Sequence, residues 1–392
     1  MKNKIGSFSL MKKMNTALIL NKIRSEKEIS RIELAKATGL TAATVTNITA
    51  RLIDAGIIQE CAVGASTGGR KPVMLKLKSN RYCIAGAYIS PTGVKLALSD
   101  FASNIIREFE LCFSSDNPSP DDCVNFIAHS LGEFSKENTL EVAGLGVGVH
   151  GTADSSKGVI INAPLLKWKN IAIKDMLCKK TGLDVYVEND VRLMAMSEMW
   201  FGNAQNRDDF VLLYIGSGVG AAVVSDSRLV RGTTDTAGEI GHSIINIDGP
   251  LCECGMRGCL QAHTNEAAMK RVLQENIDKT SVLSPDSSCP EIMEAYITGD
   301  KAAEAVVNNE VKYLSAAILN IANIFNPAMI VVASGIKGFD KAVVSQIKKV
   351  PSSAMGGAES TCVIKASSLG DDAVLKGGIA KVLDAICNNP IA

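Results

Sequence analysis

Net charge is the first thing this sequence lacks. Forty-one Lys and Arg stand against forty-one Asp and Glu in 392 residues, so the whole-chain balance points neither to a nucleic-acid binder nor to an acid-rich solvating protein. No uninterrupted apolar run reaches the roughly 18–20 residues of a membrane span. The nearest, IFNPAMIVVASGI, is broken by Asn326, Pro327 and Gly335. The opening segment, MKNKIGSFSLMKKMNTALIL, has lysines on both sides and no continuous apolar core of the kind a secretory signal needs. The eleven cysteines therefore read as reduced thiols, and the expected location is the cytoplasm with no membrane partner. Aromatic residues are few, at 5%, yet 46% of the chain is hydrophobic, enough for roughly two or three globular units.

The zero average hides a split. Residues 1–80 carry 14 basic and 5 acidic residues, and the remaining 312 carry 27 and 36. A short basic unit fused to a larger acidic one suits a chain that meets a polyanion at one end. Within the head, Leu18, Ile19 and Ile23 give a first helix that ends before Ser25. Ser30 with Glu33 reads as a capping box opening a second helix, which stops at Gly39. Thr41 caps a third, with Val45, Ile48 and Leu52 on one face. Ala35, Gly39 and Val45 sit at helix-turn-helix offsets. The segments IIQECAV and KPVMLKLK read as strands joined by the wing GASTGGR. The spacing alone also fits a structural helical cap; charge, wing and position favour operator DNA as partner. The third helix would aim Ala43, Thr44, Thr46 and Asn47 at base edges in the major groove. Arg70 and Lys71, beside two glycines at the wing tip, would reach the minor groove or its phosphates, although Arg70 also fits a solvated loop residue.

The acidic body repeats itself. YISPTGVKLALSD, from Tyr88, and YIGSGVGAAVVSD, from Tyr214, align without a gap at an offset of 126, sharing Tyr, Ile, Ser and Asp, and both read strand, turn, strand. Two α/β halves each led by such a hairpin describe the actin and sugar-kinase type of fold, in which hairpin amides grip nucleotide phosphates. The second copy keeps Gly216, Gly218 and Gly220. The first has Ser90, Pro91 and Thr92 at its turn, and Pro91 has no N–H to donate.

The chain resembles the ROK family (repressors, open reading frames and kinases), and within it the branch of xylose and N-acetylglucosamine repressors. The likeness is carried by RIELAKATGLTAATVTNITARLIDAGII and STGGRKP in the head, then by VENDVRLMAMSE, IGSGVGAAVV, GEIGH, CECGMRGCLQA and ILNIANIFNPAMIVVASGI. It implies an α/β chain with an N-terminal winged helix-turn-helix at 1–80 and a two-lobed, actin/sugar-kinase-like (ribonuclease H-like) body, its first lobe at 81–200 and its second at 201–392.

His242, Cys252, Cys254 and Cys259, spaced as H, nine residues, C, one residue, C, four residues, C, read as a closed tetrahedral zinc site, structural rather than catalytic because no position is left open; unrelated buried thiols are the alternative. Glu239 and His242 of GEIGH resemble the family's contacts to sugar hydroxyls. Asn189 and Asp190 follow the apolar strand VYV, where ligand clefts open. In family kinases the aspartate at the Asp190 position is the general base; a helix cap is the plainer role for it. Gln261 replaces a kinase Glu, leaving an amide in the sugar shell.

The degenerate hairpin at Ser90–Pro91–Thr92 argues against phosphoryl transfer. The expected function is a sugar-responsive regulator, a repressor of carbohydrate-utilisation genes with a non-catalytic kinase-like cleft, Asp190 being a vestigial base and the chain not an enzyme. An ATP-dependent sugar kinase with an accessory DNA-binding head is the alternative. A transport-system protein partner is a third reading, since some family members work that way. The resemblance also implies a homodimer or homotetramer.

Overall fold

The computed structural model describes residues 15–16, 18–20, 22–63, 72–78, 82–101, 103–113, 118–205, 207–347 and 362–388. The chain folds as two compact units, one formed by Met1–Leu193 with Val374–Ala392 and the other by Met194–Ala373. No helix among the described residues is long and apolar enough to cross a membrane.

The head belongs to the first unit. Residues 18–20 and 22–26 are helical, and Ile19, Leu20 and Ile23 are buried. Ser30 and Glu33 form a reciprocal capping box at the start of helix Arg31–Thr38, which ends on Gly39 at φ 70°. Such a cap stabilises a helix start by about 1 kcal/mol, and the left-handed C-cap suits glycine because it has no Cβ to clash. Thr41 accepts the N–H of Thr44 and opens helix Ala42–Asp54, whose Val45, Ile48 and Leu52 are buried. Strands Ile58–Val63 and Val73–Leu77 pair antiparallel, the arrangement expected of two strands joined by a wing. A two-residue strand, Ile29–Ser30, too short to carry a pattern, joins the other edge of Val73–Leu77. Three helical segments and a three-stranded sheet make a winged helix. The wing tip, with Arg70 and Lys71, lies outside the described residues.

The rest of the first unit is built on a five-stranded sheet in the order Val185–Asn189, Glu141–Val149, Tyr82–Ser90, Gly93–Ser99, Ile105–Cys112. Helices Pro120–Glu137 and Ile173–Thr181 contribute Ile127, Phe134 and Leu177 to its core. The last helix, Ala373–Asn388, approaches strand backbone directly. A Cβ on Gly86 would lie 2.4 Å from the carbonyl oxygen of Leu375, and one on Gly146 would lie 2.1 Å from that of Gly378. This glycine contact places the C-terminal helix with the first unit, so the second unit stops short of the end of the expected second lobe, 201–392.

The second unit repeats the arrangement with strands Val363–Ala366, Met329–Ser334, Phe210–Ile215, Val219–Ser225 and Arg228–Leu229 in that order. In both sheets the central hairpin is antiparallel and the two strands beside its first arm are parallel to it. The two sheets thus share the topology implied by the repeated hairpin. The turns differ: Ser90 pairs with Gly93 around two residues, whereas Ile215 pairs with Val219 around three.

Candidate functional site

On helix Ala42–Asp54 the inward residues anchor the helix and leave Ala43, Thr46 and Asn47 exposed. Thr46 donates its hydroxyl to the carbonyl of Ala42 at 2.8 Å, so its methyl and lone pairs are what it offers outward. Thr44 is half-buried, with its hydroxyl 2.9 Å from that of Thr41; its place is in the cap. Arg31 fastens the head internally, Nε donating to Thr49 at 3.1 Å and Nη2 reaching Glu60 at 2.8 Å. Its partners lie 18 and 29 residues away, and no local pattern points to them.

Asn189 and Asp190 stand at the junction of strand Val185–Asn189 and helix Asp190–Phe201. Asn189 does the capping: its side-chain oxygen accepts the N–H of Arg192 at 3.1 Å, while its amide donates to Gly151 and Asp190. Asp190 is buried. Its Oδ1 accepts from Val191 N–H at 2.9 Å and Asn189 at 3.0 Å, and its Oδ2 from the Tyr88 hydroxyl at 3.3 Å. His150 Nδ1 lies 3.0 Å from the same Oδ2. Burial opposes the charged imidazole, but the Asp190 carboxylate outweighs it, and the His150 pKa is raised above its ordinary value. No local pattern links His150 or the Tyr88 hydroxyl to Asp190, which lies 40 and 102 residues from them along the chain. Glu188, fully buried, is ion-paired with Arg192 at 3.5 Å and Lys381 at 3.3 Å.

At the first hairpin, Ser90 Oγ accepts the N–H groups of Thr92 at 3.3 Å and Gly93 at 3.2 Å.

The other predicted residues lie in the second unit. GEIGH runs along strand Val219–Ser225: Ala221 N–H donates to Gly238 at 2.8 Å, and a Cβ on Gly241 would lie 2.1 Å from the carbonyl oxygen of Val219. Glu239 is exposed. Gln261 Oε1 accepts the N–H of Val219 at 3.3 Å, so this amide braces the second hairpin.

His242, Cys252, Cys254 and Cys259 offer ligand atoms all within 4.8 Å of one another and could hold a metal ion. Cys252 Sγ is 3.6 Å from His242 Nδ1, and Cys254 Sγ is 3.6 Å from Cys259 Sγ. A tetrahedron of roughly 2.3 Å metal–sulfur bonds has edges of about 3.8 Å, whereas a disulfide needs about 2.05 Å. The sulfurs thus stand at a ligand spacing. Gly255 and Gly258, at φ 89° and 74°, let the loop wrap; a Cβ on Gly258 would lie 1.5 Å from the Asn246 carbonyl oxygen. Burial, then the neighbouring sulfurs, pushes the Cys259 thiol up to about 12, while the N–H of Met256 holds Cys254 down. A bound cation would reverse the first effect.

The model of the ROK family matches residues 88–385, and a winged helix-turn-helix DNA-binding model matches 17–59. The chain is 28% identical to the xylose repressor of Caldicellulosiruptor bescii, over 98% of this chain and 99% of that one. It is 29% identical to the N-acetylglucosamine repressor of Escherichia coli O157:H7, over 88% and 86%. Among solved structures, a ROK family transcriptional regulator described as a homologue of the E. coli MLC protein aligns with a TM-score of 0.79 at 26% identity, covering 96% and 97% of the two chains. The ROK family glucokinase of Streptomyces griseus, in complex with glucose and AMPPNP, aligns at 0.67 and 26%, covering 76% of this chain and 97% of its own.

Proposed function

This chain belongs to the ROK family, and from that premise we propose that it is a sugar-responsive repressor of transcription. It binds operator DNA through its winged helix and uses a kinase-like body as a sensor without catalysing phosphoryl transfer. The observation that carries this reading is the pairing of an exposed recognition helix with a first hairpin whose turn amides are taken by Ser90. A repressor needs the helix; a kinase needs those amides free for phosphate. The relatives named as repressors match both the head and the body.

Base contacts are assigned to Ala43, Thr46 and Asn47, with Arg70 and Lys71 of the wing on the minor groove or phosphates, and Thr44 supporting through the cap. Direct sugar contacts are assigned to Glu239, His242 and Gln261, the last through the amide nitrogen left over from its bond to Val219, and Asn189 and Asp190 are assigned to the sugar shell of the first unit. His242 and the three cysteines fit zinc: three sulfurs and a nitrogen at tetrahedral spacing leave no open coordination position. The metal's role is therefore to hold the loop. With Nδ1 turned toward the metal ligands, His242 Nε2 remains for a sugar hydroxyl. The working protein is a cytoplasmic homo-oligomer, since two heads are needed to read two half-sites.

Operator affinity measured with and without sugar, in parallel with ATP turnover, tests the whole reading. A tenfold shift in operator affinity needs about 1.4 kcal/mol of differential sugar binding. Sugar that leaves operator affinity unchanged breaks the sensing link, and steady production of a phosphorylated sugar restores the kinase alternative.

A further inference from the structure

Within the first unit, the buried carboxylate of Asp190 does not face a ligand unaccompanied. Its Oδ2 takes the Tyr88 hydroxyl and His150 Nδ1, and its Oδ1 takes a backbone N–H and the Asn189 amide. Four donors saturate the two oxygens of a carboxylate. The His150 side chain, by contrast, is 20% exposed against 3% for that of Asp190. Its main chain is pinned as well, His150 N–H donating to the carbonyl of Ile89 at 3.1 Å. We propose that His150 is the sugar-contacting side chain that sets specificity in this unit, with Asp190 holding its ring and Nε2 as the atom presented to a sugar hydroxyl. The assignment rests on the sugar-sensor reading above.

The chemistry follows from the pairing. An ionised carboxylate only accepts, so Nδ1 carries a proton in either charge state of the ring, and Nε2 accepts when the ring is neutral and donates when it is charged. A sugar hydroxyl can serve either as donor or as acceptor to it, and the ring cannot rotate without breaking its bond to Asp190. Asp190 is then a positioning residue. Its kinase role is taken out by geometry, because the oxygen that would receive a hydroxyl proton is occupied by the imidazole.

Two amides separate the two ring nitrogens. Glutamine places its amide near the position of Nε2, and asparagine near that of Nδ1. Calorimetry of the full chain with D-xylose and with N-acetylglucosamine should show H150Q within about threefold of wild type and H150N weaker by about tenfold or more, one lost hydrogen bond of roughly 1.4 kcal/mol. Retention by H150N, or equal loss in both variants, overturns the assignment. A second measurement needs no variant to fold: in the wild type labelled with nitrogen-15 at histidine, adding the sugar that binds should move the Nε2 signal of His150 and leave Nδ1 in place. Binding with neither signal moved also overturns it. If neither sugar binds the wild type, the sugar-sensor reading falls and the assignment with it; if one binds and only the histidine results fail, that reading stands.

Discussion

Ser90 closes the first hairpin on Gly93, its Oγ accepting that residue's N–H at 3.2 Å and that of Thr92 at 3.3 Å. Pro91 between them has no N–H at all. Three successive positions at the turn thus direct no amide at an anion, in the hairpin that opens the first unit's sheet. The equivalent turn of the second unit is one residue longer and runs through Gly216 and Gly218. Phosphoryl transfer rests on positioning and charge stabilisation rather than covalent chemistry by the protein. The purified chain with ATP, magnesium and either xylose or N-acetylglucosamine should therefore yield no phosphorylated sugar. A turnover in the ordinary kinase range of about 1–100 per second would refute this.

Asn47 is the exposed recognition-helix residue with the best chemistry for a base, since its amide can pair bidentately with adenine. Asn47→Ala should weaken binding to a duplex selected by the wild-type chain by about 1–3 kcal/mol, roughly 5- to 150-fold by gel shift. The loss should be confined to sequences carrying the adenine it reads. Thr44→Ala should act differently, lowering the melting temperature of the head through the Thr41 cap as well as affinity. No loss, or an equal loss on duplexes with and without that adenine, would move the base contact elsewhere.

Protein purified without chelator should contain about one zinc per chain by metal analysis, as a closed Cys3His site implies. Cys254→Ser should reduce both metal content and melting temperature, because binding free energy in such loops is folding free energy. Cys112→Ser removes another exposed thiol and should change neither. Wild-type protein free of metal, or a Cys254 variant that keeps its zinc, would remove the site.

What the sequence revealed follows the range of the interactions. The Ser30–Glu33 box, the Gly39 stop and the Thr41 cap are read at a distance of three or four residues, and the structure has all of them. The four metal-ligand candidates are close in sequence too, and Gly255 and Gly258 mark the turns between them. Pairings across the fold left no trace: His150 reaches Asp190 over 40 residues and Gln261 reaches Val219 over 42. Gly378 has no local signature either, because its role lies in the strand residues Gly86 and Gly146 that it packs against. A hairpin turn looked degenerate from its composition; only the geometry shows that Ser90 itself takes the amides.

The second unit carries a titratable group at the centre of its longest helix. Glu310, on Lys301–Phe325, is fully buried, and burial raises its pKa well above the ordinary carboxylate value. In the folded chain it is protonated at pH values where the unfolded chain ionises it. The folded state then binds more protons than the unfolded one, so stability falls as pH rises above the unfolded pKa of about 4.3, and keeps falling until the folded pKa is reached. The slope from one such group is about 1.4 kcal/mol per pH unit. Glu310→Gln has nearly the same shape and no charge to suppress. Its melting temperature relative to wild type should therefore climb as pH is raised from 5 to 8, with the smallest difference at the acid end. Melting differences that stay constant over that range would mean Glu310 is ionised in the folded chain. A difference that shrinks as pH rises would reverse the sign of its contribution.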